Sequence, residues 1–243
     1  MQLNLPTPTS ALAIAAHPDD VEFGCGGTLA KWSADGCVVH HLICTDGSKG
    51  SWNPQEDTRA LVAQRQEEQR AAAKALGATG DVVFLGHIDG ELQSGLAERE
   101  QVALVIRQVK PEVVFGHDPW RRYRLHPDHR HAGQLAVEGI VSARDPHFYP
   151  TQRIPHWRPS MLLLWEADVV DHIEDVGAFT EAKLAALLEH RSQLRSTMHI
   201  EVGSAEEEAQ RDRFRRRVLD RLATFGRTVG VAHGEGFKRI DDL

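Results

Sequence analysis

Short apolar runs alternate with longer segments of helical periodicity along most of the chain. The apolar runs are bounded by turn formers, most of them contain β-branched residues, and they lie at 11–16, 37–45, 81–85, 112–116 and 161–165. Runs of this kind predict buried β-strands. Helical patterns fill the gaps, at 27–34, 59–76, 96–109, 128–142, 180–193 and 206–225. Gly77 and Pro111 indicate where the second and third of these helices end.

This alternation predicts the fold class. We expect one α/β domain over 1–243, a Rossmann-like three-layer fold with a mostly parallel central sheet and helices on both faces. In such folds ligands bind outside the carboxyl ends of the strands. Polar segments directly follow four of the predicted strands, at 17–20, 45–47, 86–90 and 116–129, and we expect them to meet at that edge.

Composition and charge narrow the range of partners. A chain of 243 residues with 41% hydrophobic composition can bury one substantial core. The formal net charge of −7 and the lack of a dense Lys/Arg stripe argue against a nucleic-acid partner. The segment 211–221 is locally basic, but Asp212 and Asp220 interrupt it on a helical pattern, which indicates a solvated helix face.

The chain shows no targeting or disulfide pattern. Residues 1–6 lack the basic and apolar regions of a signal peptide, and no segment approaches the ~20 apolar residues of a spanning helix. We therefore expect a cytoplasmic protein with no membrane partner. The cysteines Cys25, Cys37 and Cys44 are odd in number and lack CxxC spacing, so they suggest neither a disulfide framework nor a thiolate metal site.

Two short segments hold the candidate chemistry. They are Ala16-His17-Pro18-Asp19-Asp20 and His126-Pro127-Asp128-His129. Together they offer three metal ligands, a spare carboxylate and a spare imidazole. Hydrolysis of an unactivated bond needs a cation to acidify a water molecule, a base to take its proton and a donor for the developing oxyanion, and these segments offer residues for each role.

The first segment supports two interpretations when it is taken alone. His17 and Asp20 are three residues apart in a turn that leaves a strand, so both side chains can converge on a metal while Asp19 points elsewhere. A carboxylate beside a metal but not bound to it suits a general base. An Asp-rich turn that caps the next helix explains the same segment equally well.

The second segment favours the metal. His129 begins a helical pattern and can complete a His-Asp-His face that leaves one position open for water, as in catalytic zinc sites. His126 lies in the preceding loop and can face the substrate as an oxyanion donor or general acid. Asp128 can hydrogen-bond one imidazole and hold it protonated. The ligand set suits Zn²⁺, and also Fe²⁺ or another divalent ion.

Three rival classes fit less well. A dinucleotide site would use Gly24, Gly26 and Gly27, but these glycines come after two acids that would repel a pyrophosphate. Non-haem Fe(II) enzymes also use a His-carboxylate-His face, but they usually have a β-barrel scaffold with the first two ligands two residues apart. A metal-binding or sugar-binding module without catalysis has no need of Asp19.

The two segments, in this order, resemble the metal motifs of the PIG-L/LmbE-like metal-dependent N-acetylglucosaminyl deacetylases. The resemblance covers nearly the whole chain, because other landmarks of the family have counterparts at Gly24 to Thr28, Arg65-Gln66-Glu67-Glu68, Asp89-Gly90, His190-Arg191-Ser192-Gln193 and Glu235-Gly236-Phe237. It implies a zinc-dependent hydrolase that cleaves a linear amide C–N bond. The expected substrate is a small amino sugar, or a conjugate of one, that carries an N-acetyl or N-acyl group.

The resemblance also implies a role for each residue of the two motifs. The metal ligands would be His17, Asp20 and His129, and the general base would be Asp19. His126 would stabilise the tetrahedral intermediate or protonate the leaving amine, and Asp128 would orient His126.

Substrate contacts are less constrained. Arg65 matches a position that contacts the sugar in some members, although a salt bridge on its own helix is nearly as good an interpretation. Tyr123 can supply a phenol at the mouth of the site or pack as an aromatic. The loop 116–125 is longer than in small bacterial members and departs from their pattern, which leaves the acetylated substrate open. Assembly is common in the family, so a homo-oligomer is a further expectation.

Overall fold

Eight strands form one sheet in the computed structural model, which describes residues 1–243. The order across the sheet is β1-β7-β8-β6-β5-β2-β3-β4. Neighbouring strands pair in parallel except where β8 pairs antiparallel with β6 and β7. The strands are β1 (Gln2–Leu3), β2 (Ser10–Ala15), β3 (Val38–Thr45), β4 (Val82–His87), β5 (Val113–His117), β6 (Met161–Trp165), β7 (His172–Asp175) and β8 (Gly234–Asp241).

Six α-helices cover the two faces of this sheet. They are α1 (Asp20–Ala34), α2 (Thr58–Ala75), α3 (Leu96–Val109), α4 (Pro127–Arg144), α5 (Thr180–Glu189) and α6 (Glu207–Arg227). Alternate residues of β2 face opposite layers, since Ala11 and Ala13 pack with side chains of α1, α2 and α5, whereas Leu12 and Ile14 pack with α3 and α4. Helix α6 packs on α5 through a smaller apolar cluster. This arrangement confirms the predicted α/β class and its three layers.

Two of the strands that sequence patterns missed carry buried charge. Strands β7 and β8 contain Glu174 and Glu235, which are both buried. Lys31 forms an ion pair with Glu174 at 2.8 Å, and Lys183 with Glu235 at 2.6 Å. Because these distant lysines neutralise the buried acids, β7 and β8 can do without a continuous apolar run. The third strand that the pattern missed, β1, has only two residues.

Helix α1 begins earlier than its glycine-rich pattern predicts. It starts at Asp20, and Cys25, with φ −144° and ψ 15°, divides it into two segments. The freed backbone N–H groups of Gly27 and Thr28 donate to Glu235 at 2.9 and 2.7 Å. Gly24 lies so close to Trp165 that a Cβ there would come within 2.6 Å of the indole. The glycines of the first motif therefore serve close packing and a helix break.

The parallel strands β2, β3, β4, β5 and β6 all end at one edge of the sheet. The first motif follows β2, the loop 88–90 follows β4, and His117 is the last residue of β5. None of the helices has the length and apolar character needed to cross a membrane. All three cysteines are buried and unpaired.

Candidate active site

A strained turn separates the two acids of the first motif. Asp19 has φ 104° and ψ −25°, a left-handed conformation that favours glycine and costs other residues about 1–3 kcal/mol. Its N–H donates to Oε1 of Gln69 at 3.0 Å, which helps to hold this conformation. Oδ2 of Asp20 accepts a hydrogen bond from the backbone N–H of His17 at 2.8 Å. The carboxylates of Asp19 and Asp20 consequently have different neighbours.

Asp20 lies between two imidazoles. Its Oδ2 is 3.3 Å from Nδ1 of His17, and its Oδ1 is 3.4 Å from Nε2 of His129. Atoms bound to one tetrahedral cation at roughly 2.0–2.2 Å lie about 3.3–3.6 Å from each other, so both separations are those of neighbouring metal ligands. Ligand atoms of His17, His126 and His129 also lie within 4.8 Å of one another.

The charge of this site also fits a cation. Burial lowers the pKa of His129 to about 4, so its imidazole is neutral, which is the form that binds metals. Burial opposes the charged form of Asp20, yet the imidazoles of His129 and His117 outweigh it and hold its pKa well below the usual range. The donor atoms, their spacing and the charge states of His129 and Asp20 therefore suit a divalent ion.

The structure places Asp128 beside His17, whereas the sequence analysis expected it beside His126. Oδ2 of Asp128 is 3.1 Å from Nε2 of His17, and no hydrogen bond joins Asp128 to His126. The first turn of α4 directs the buried Asp128 inward, where the backbone N–H groups of Gly90 and Leu92 also donate to it. An Nε2–H group that donates to Asp128 directs Nδ1 of His17 towards the metal position, where a divalent ion would displace the proton on Nδ1.

Asp89 adds a second carboxylate at the same nitrogen. Its Oδ1 lies 3.1 Å from Nε2 of His17. Burial opposes the charged form of His17, but its contacts with Asp128, Asp20 and Asp89 raise the pKa well above the ordinary value. Three carboxylates around one imidazole leave an excess of negative charge that a divalent cation can offset.

Asp19 faces Arg65. Burial raises the pKa of Asp19 to about 6, although the guanidinium of Arg65, 3.5 Å from Oδ2, opposes the rise. A carboxylate with a pKa in this range can accept a proton near neutral pH. Arg65 is only 3% exposed and also donates to the backbone carbonyls of Pro18 and Gly47. Its observed contacts therefore hold the first motif, and they leave little of it to meet a sugar.

His117 is the residue that the sequence analysis missed. It is 1% exposed, and its ring stacks on that of His129 at 4.4 Å between centroids. Nε1 of Trp165 donates to Nδ1 of His117 at 3.0 Å. Because an indole can only donate, the neutral imidazole must carry its proton on Nε2, which lies 3.3 Å from Oδ2 of Asp20. His117 thus presents an N–H group, and no lone pair, towards Asp20, although the two atoms do not form a hydrogen bond in this structure.

Position along the sheet was the signal that could have identified His117. It is the last residue of a buried strand, at the edge where the other polar segments collect. No metal-ligand spacing of the kind seen in the two motifs singles out His117. The nearest acid, Asp118, follows it directly, and the segment His126-Pro127-Asp128-His129 begins nine residues later.

His126 directly precedes α4 and is more exposed than the other imidazoles. Its ring lies 4.6 Å from that of His17 and 4.9 Å from that of His129, measured between centroids. Burial lowers its pKa. A neutral imidazole at this position can donate one hydrogen bond to a group bound in front of His17 and His129.

An open cleft with a volume of about 590 Å³ has on its floor His17, Asp19, Asp20, Asp89, His126 and His129. Its rim includes Trp52, Arg217 and Arg221. Tyr123 is 92% exposed and lines an adjoining depression that also reaches His126 and His129. Tyr123 therefore lies at the mouth of the cleft, with no contact to His17, Asp20 or His129.

The loop 116–125 is anchored by a buried arginine. Nη1 of Arg124 donates one proton to Oε2 of Glu166 at 2.8 Å, and it lies 3.2 Å from Nδ1 of His129 and 3.3 Å from Nδ1 of His117. Its second proton reaches only one of these two nitrogens, and Nε2 of His129 keeps a lone pair for a metal only where that proton goes to His117. The loop therefore contacts the back of one proposed metal residue as well as forming the wall of the depression.

The fold and this cleft define an α/β protein with a histidine and aspartate site at the carboxyl edge of its parallel strands. Residues 12–140, more than half of the chain, match the family described as "PIG-L: GlcNAc-PI de-N-acetylase". The chain belongs to this family, as its motifs predicted.

Relatives of known structure or activity agree with this assignment. The chain is 34% identical over 185 residues to the diacetylchitobiose deacetylase of Thermococcus kodakarensis, a match that covers 75% of this chain and 69% of the relative. It is 34% identical over 170 residues to the 1D-myo-inositol 2-acetamido-2-deoxy-alpha-D-glucopyranoside deacetylase of Streptomyces avermitilis, covering 59% of this chain and 57% of that one. The solved N,N'-diacetylchitobiose deacetylase of Pyrococcus horikoshii superimposes with a TM-score of 0.84 at 30% identity, covering 96% of this chain and 84% of that one.

Proposed function

We propose that this protein is a metal-dependent hydrolase that removes an N-acetyl or N-acyl group from an amino sugar or an amino-sugar conjugate. One observation carries the proposal. Asp20 lies between the imidazoles of His17 and His129, whereas Asp19 turns away from them to a buried position beside Arg65. A site that only bound metal would have no use for this second, separately held carboxylate. The deacetylase relatives support the same reaction.

His17, Asp20 and His129 would hold the metal, which we propose to be Zn²⁺ with Fe²⁺ as an alternative. A divalent ion held there lowers the pKa of a water molecule and polarises the amide carbonyl. Asp128 acts through His17, whose Nε2 it contacts, and fixes which nitrogen of that ring faces the metal.

Asp19 performs the proton transfers. It takes a proton from the attacking water, and the water oxygen forms a bond with the acyl carbon. When the C–N bond breaks, the protonated Asp19 can return that proton to the leaving nitrogen, so a free amine and acetate result. Arg65 keeps the carboxylate of Asp19 in place, and its charge moderates the rise in pKa that burial causes.

His126 stabilises the negative charge that develops on the carbonyl oxygen. Its lowered pKa means that the ring is neutral near pH 7, and a neutral imidazole donates one hydrogen bond. The amine is then protonated mainly through Asp19. Tyr123, at the mouth of the cleft, is a candidate contact for the remote part of the substrate.

The test is a deacetylation screen with zinc-reconstituted protein. N-acetylglucosamine, diacetylchitobiose and the inositol conjugate of N-acetylglucosamine would be supplied, and both acetate and free amine would be measured. We expect equal amounts of the two products from at least one substrate, released about 10²- to 10⁴-fold more slowly by the Asp19→Asn protein at the same metal content. Metal-loaded protein that binds these sugars without releasing acetate would contradict the proposal.

A further inference from the structure

One wall of the cleft carries positive charge from helix α6. The basic segment 211–221 lies on this helix, and its sequence indicates a solvated face. Three of its arginines fit that interpretation because they form ion pairs outside the cleft, Arg211 with Glu207, Arg213 with Glu206 and Arg215 with Glu181. Arg217 and Arg221 differ, since both line the cleft that contains the metal residues.

Little negative charge lies close to the guanidinium groups of these two arginines. Arg217 forms no ion pair, and its Nη2 donates to the backbone carbonyl of Thr197 at 3.3 Å while its guanidinium lies 5.4 Å from the ring of Phe214. Arg221 has one long contact, 3.4 Å to Oε1 of Glu166. Arg124 already occupies the other oxygen of Glu166 at 2.8 Å. Each guanidinium therefore keeps hydrogen-bonding capacity for a ligand.

Apart from Glu166, the acids inside the cleft are engaged away from these two arginines. Asp19 faces Arg65, Asp20 faces the imidazoles, and Asp89 contacts His17. They also lie at the floor, where a divalent cation would offset their charge. Because the whole chain has a formal net charge of −7, the positive wall is a local feature and would attract anions to the cleft.

Residues four apart on a helix are neighbours on its surface, so Arg217 and Arg221 can act on one group. Guanidinium groups match the oxygens of phosphates and carboxylates, and such charge-assisted hydrogen bonds are among the stronger ones in proteins. The cleft volume of about 590 Å³ lies within the range of sites that enclose a ligand of several fused or linked units. Trp52, 85% exposed on the same rim, offers an aromatic face to a sugar ring.

We propose that Arg217 and Arg221 form a subsite for an oxyanion, a phosphate or a carboxylate, on the part of the substrate that lies away from the acetamido group. This inference rests on the proposed deacetylase function and makes anionic amino-sugar derivatives its preferred substrates. Neutral sugars would enter the same cleft without the contribution of these two side chains.

The test compares matched pairs of substrates. Steady-state kinetics would be measured for N-acetylglucosamine against its 6-phosphate and its 1-phosphate, and against N-acetylmuramic acid, which carries a carboxylate. We expect kcat/KM to favour at least one anionic compound by roughly 10- to 100-fold, as one or two charged hydrogen bonds would give. The compound that is favoured distinguishes a phosphate from a carboxylate. The preference should fall as ionic strength rises.

Variants assign the preference to residues. The double variant Arg217→Gln/Arg221→Gln should lose most of it through a raised KM. The matched control Arg215→Gln, on the same helix but paired with Glu181, should retain it. Equal kcat/KM for neutral and anionic compounds in the wild type would overturn the subsite, and so would a preference that persists in the double variant.

A binding measurement separates this inference from the proposed function. Glucosamine, glucosamine 6-phosphate, glucosamine 1-phosphate and muramic acid, which have no acyl group to lose, would be titrated calorimetrically into wild-type and double-variant protein. Tighter binding of an anionic sugar that depends on the two arginines would support the subsite even if no compound were deacetylated, in which case only the proposed reaction would fail. Equal affinity of all four sugars for the wild type would overturn the subsite.

Discussion

Replacing His117 by leucine should weaken metal binding while leaving all three proposed ligands in place. The change removes the Nε2–H group that faces Oδ2 of Asp20. Loss of a group that orients a metal ligand typically costs 10- to 100-fold in affinity. The separation of 3.3 Å exceeds the 2.7–2.9 Å of strong charge-assisted hydrogen bonds. We therefore expect a loss of zinc affinity at the lower end of this range, about tenfold, which corresponds to about 1.4 kcal/mol.

The assay is a direct competition titration of zinc against a chelator of known affinity, on protein stripped of metal. Thermal unfolding of the same samples would establish that each variant is folded. His117→Gln is the matched control, because the amide of glutamine can place an N–H donor near the position of Nε2. It should bind zinc more tightly than His117→Leu.

Trp165→Phe tests the tautomer argument. Without the indole N–H, the imidazole of His117 is free to carry its proton on Nδ1, so affinity should fall partway towards that of His117→Leu. Unchanged zinc affinity in folded His117→Leu protein would refute the reasoning. If both His117→Leu and His117→Gln instead lost a thousandfold or more in zinc affinity, His117 would be shown to bind the metal itself.

Three further predictions concern the motif residues. Asp19→Asn should keep its metal and lose about 10²- to 10⁴-fold in kcat, the usual contribution of a positioned base; metal analysis beside kinetics checks this, and loss of metal would make Asp19 a ligand. His126→Ala should lower kcat by about 10²- to 10³-fold with little change in KM, as expected for an oxyanion donor; a raised KM at constant kcat would make it a recognition residue. Asp128→Ala should weaken zinc binding about 10- to 100-fold through His17, and unaltered affinity in the titration would contradict that role.

Much of the fold follows from local pattern. Strands β2, β3, β5 and β6 are largely buried, and β4 is half-buried at the edge of the sheet. Each of them appears in the sequence as a short apolar run, and Pro111 and Gly77 mark helix ends. Parallel strands place their carboxyl ends together, and this is why segments a hundred residues apart could be expected at one site.

The unpredicted parts depend on pairings over long distances. The sequence of strand β8 is polar, and its Glu235 can be buried because Lys183, 52 residues away, and backbone N–H groups of α1 donate hydrogen bonds to it. Asp128 was expected beside His126, its near neighbour in sequence, but the first turn of α4 directs it to His17, 111 residues earlier. His117 owes its orientation to Trp165 on the neighbouring strand. Sequence spacing identifies residue types at such a site more readily than it identifies their partners.

The most direct test of the central claim is hydrolysis of an accepted N-acetylated amino sugar in water enriched in ¹⁸O, with zinc-loaded protein and mass spectrometry of both products. Attack of water on the acyl carbon predicts one ¹⁸O atom in each acetate and none in the amino sugar, with the two products in equal amounts. Conversion of the sugar without acetate, or label in the sugar and not in the acetate, would contradict the assignment of this site to amide hydrolysis.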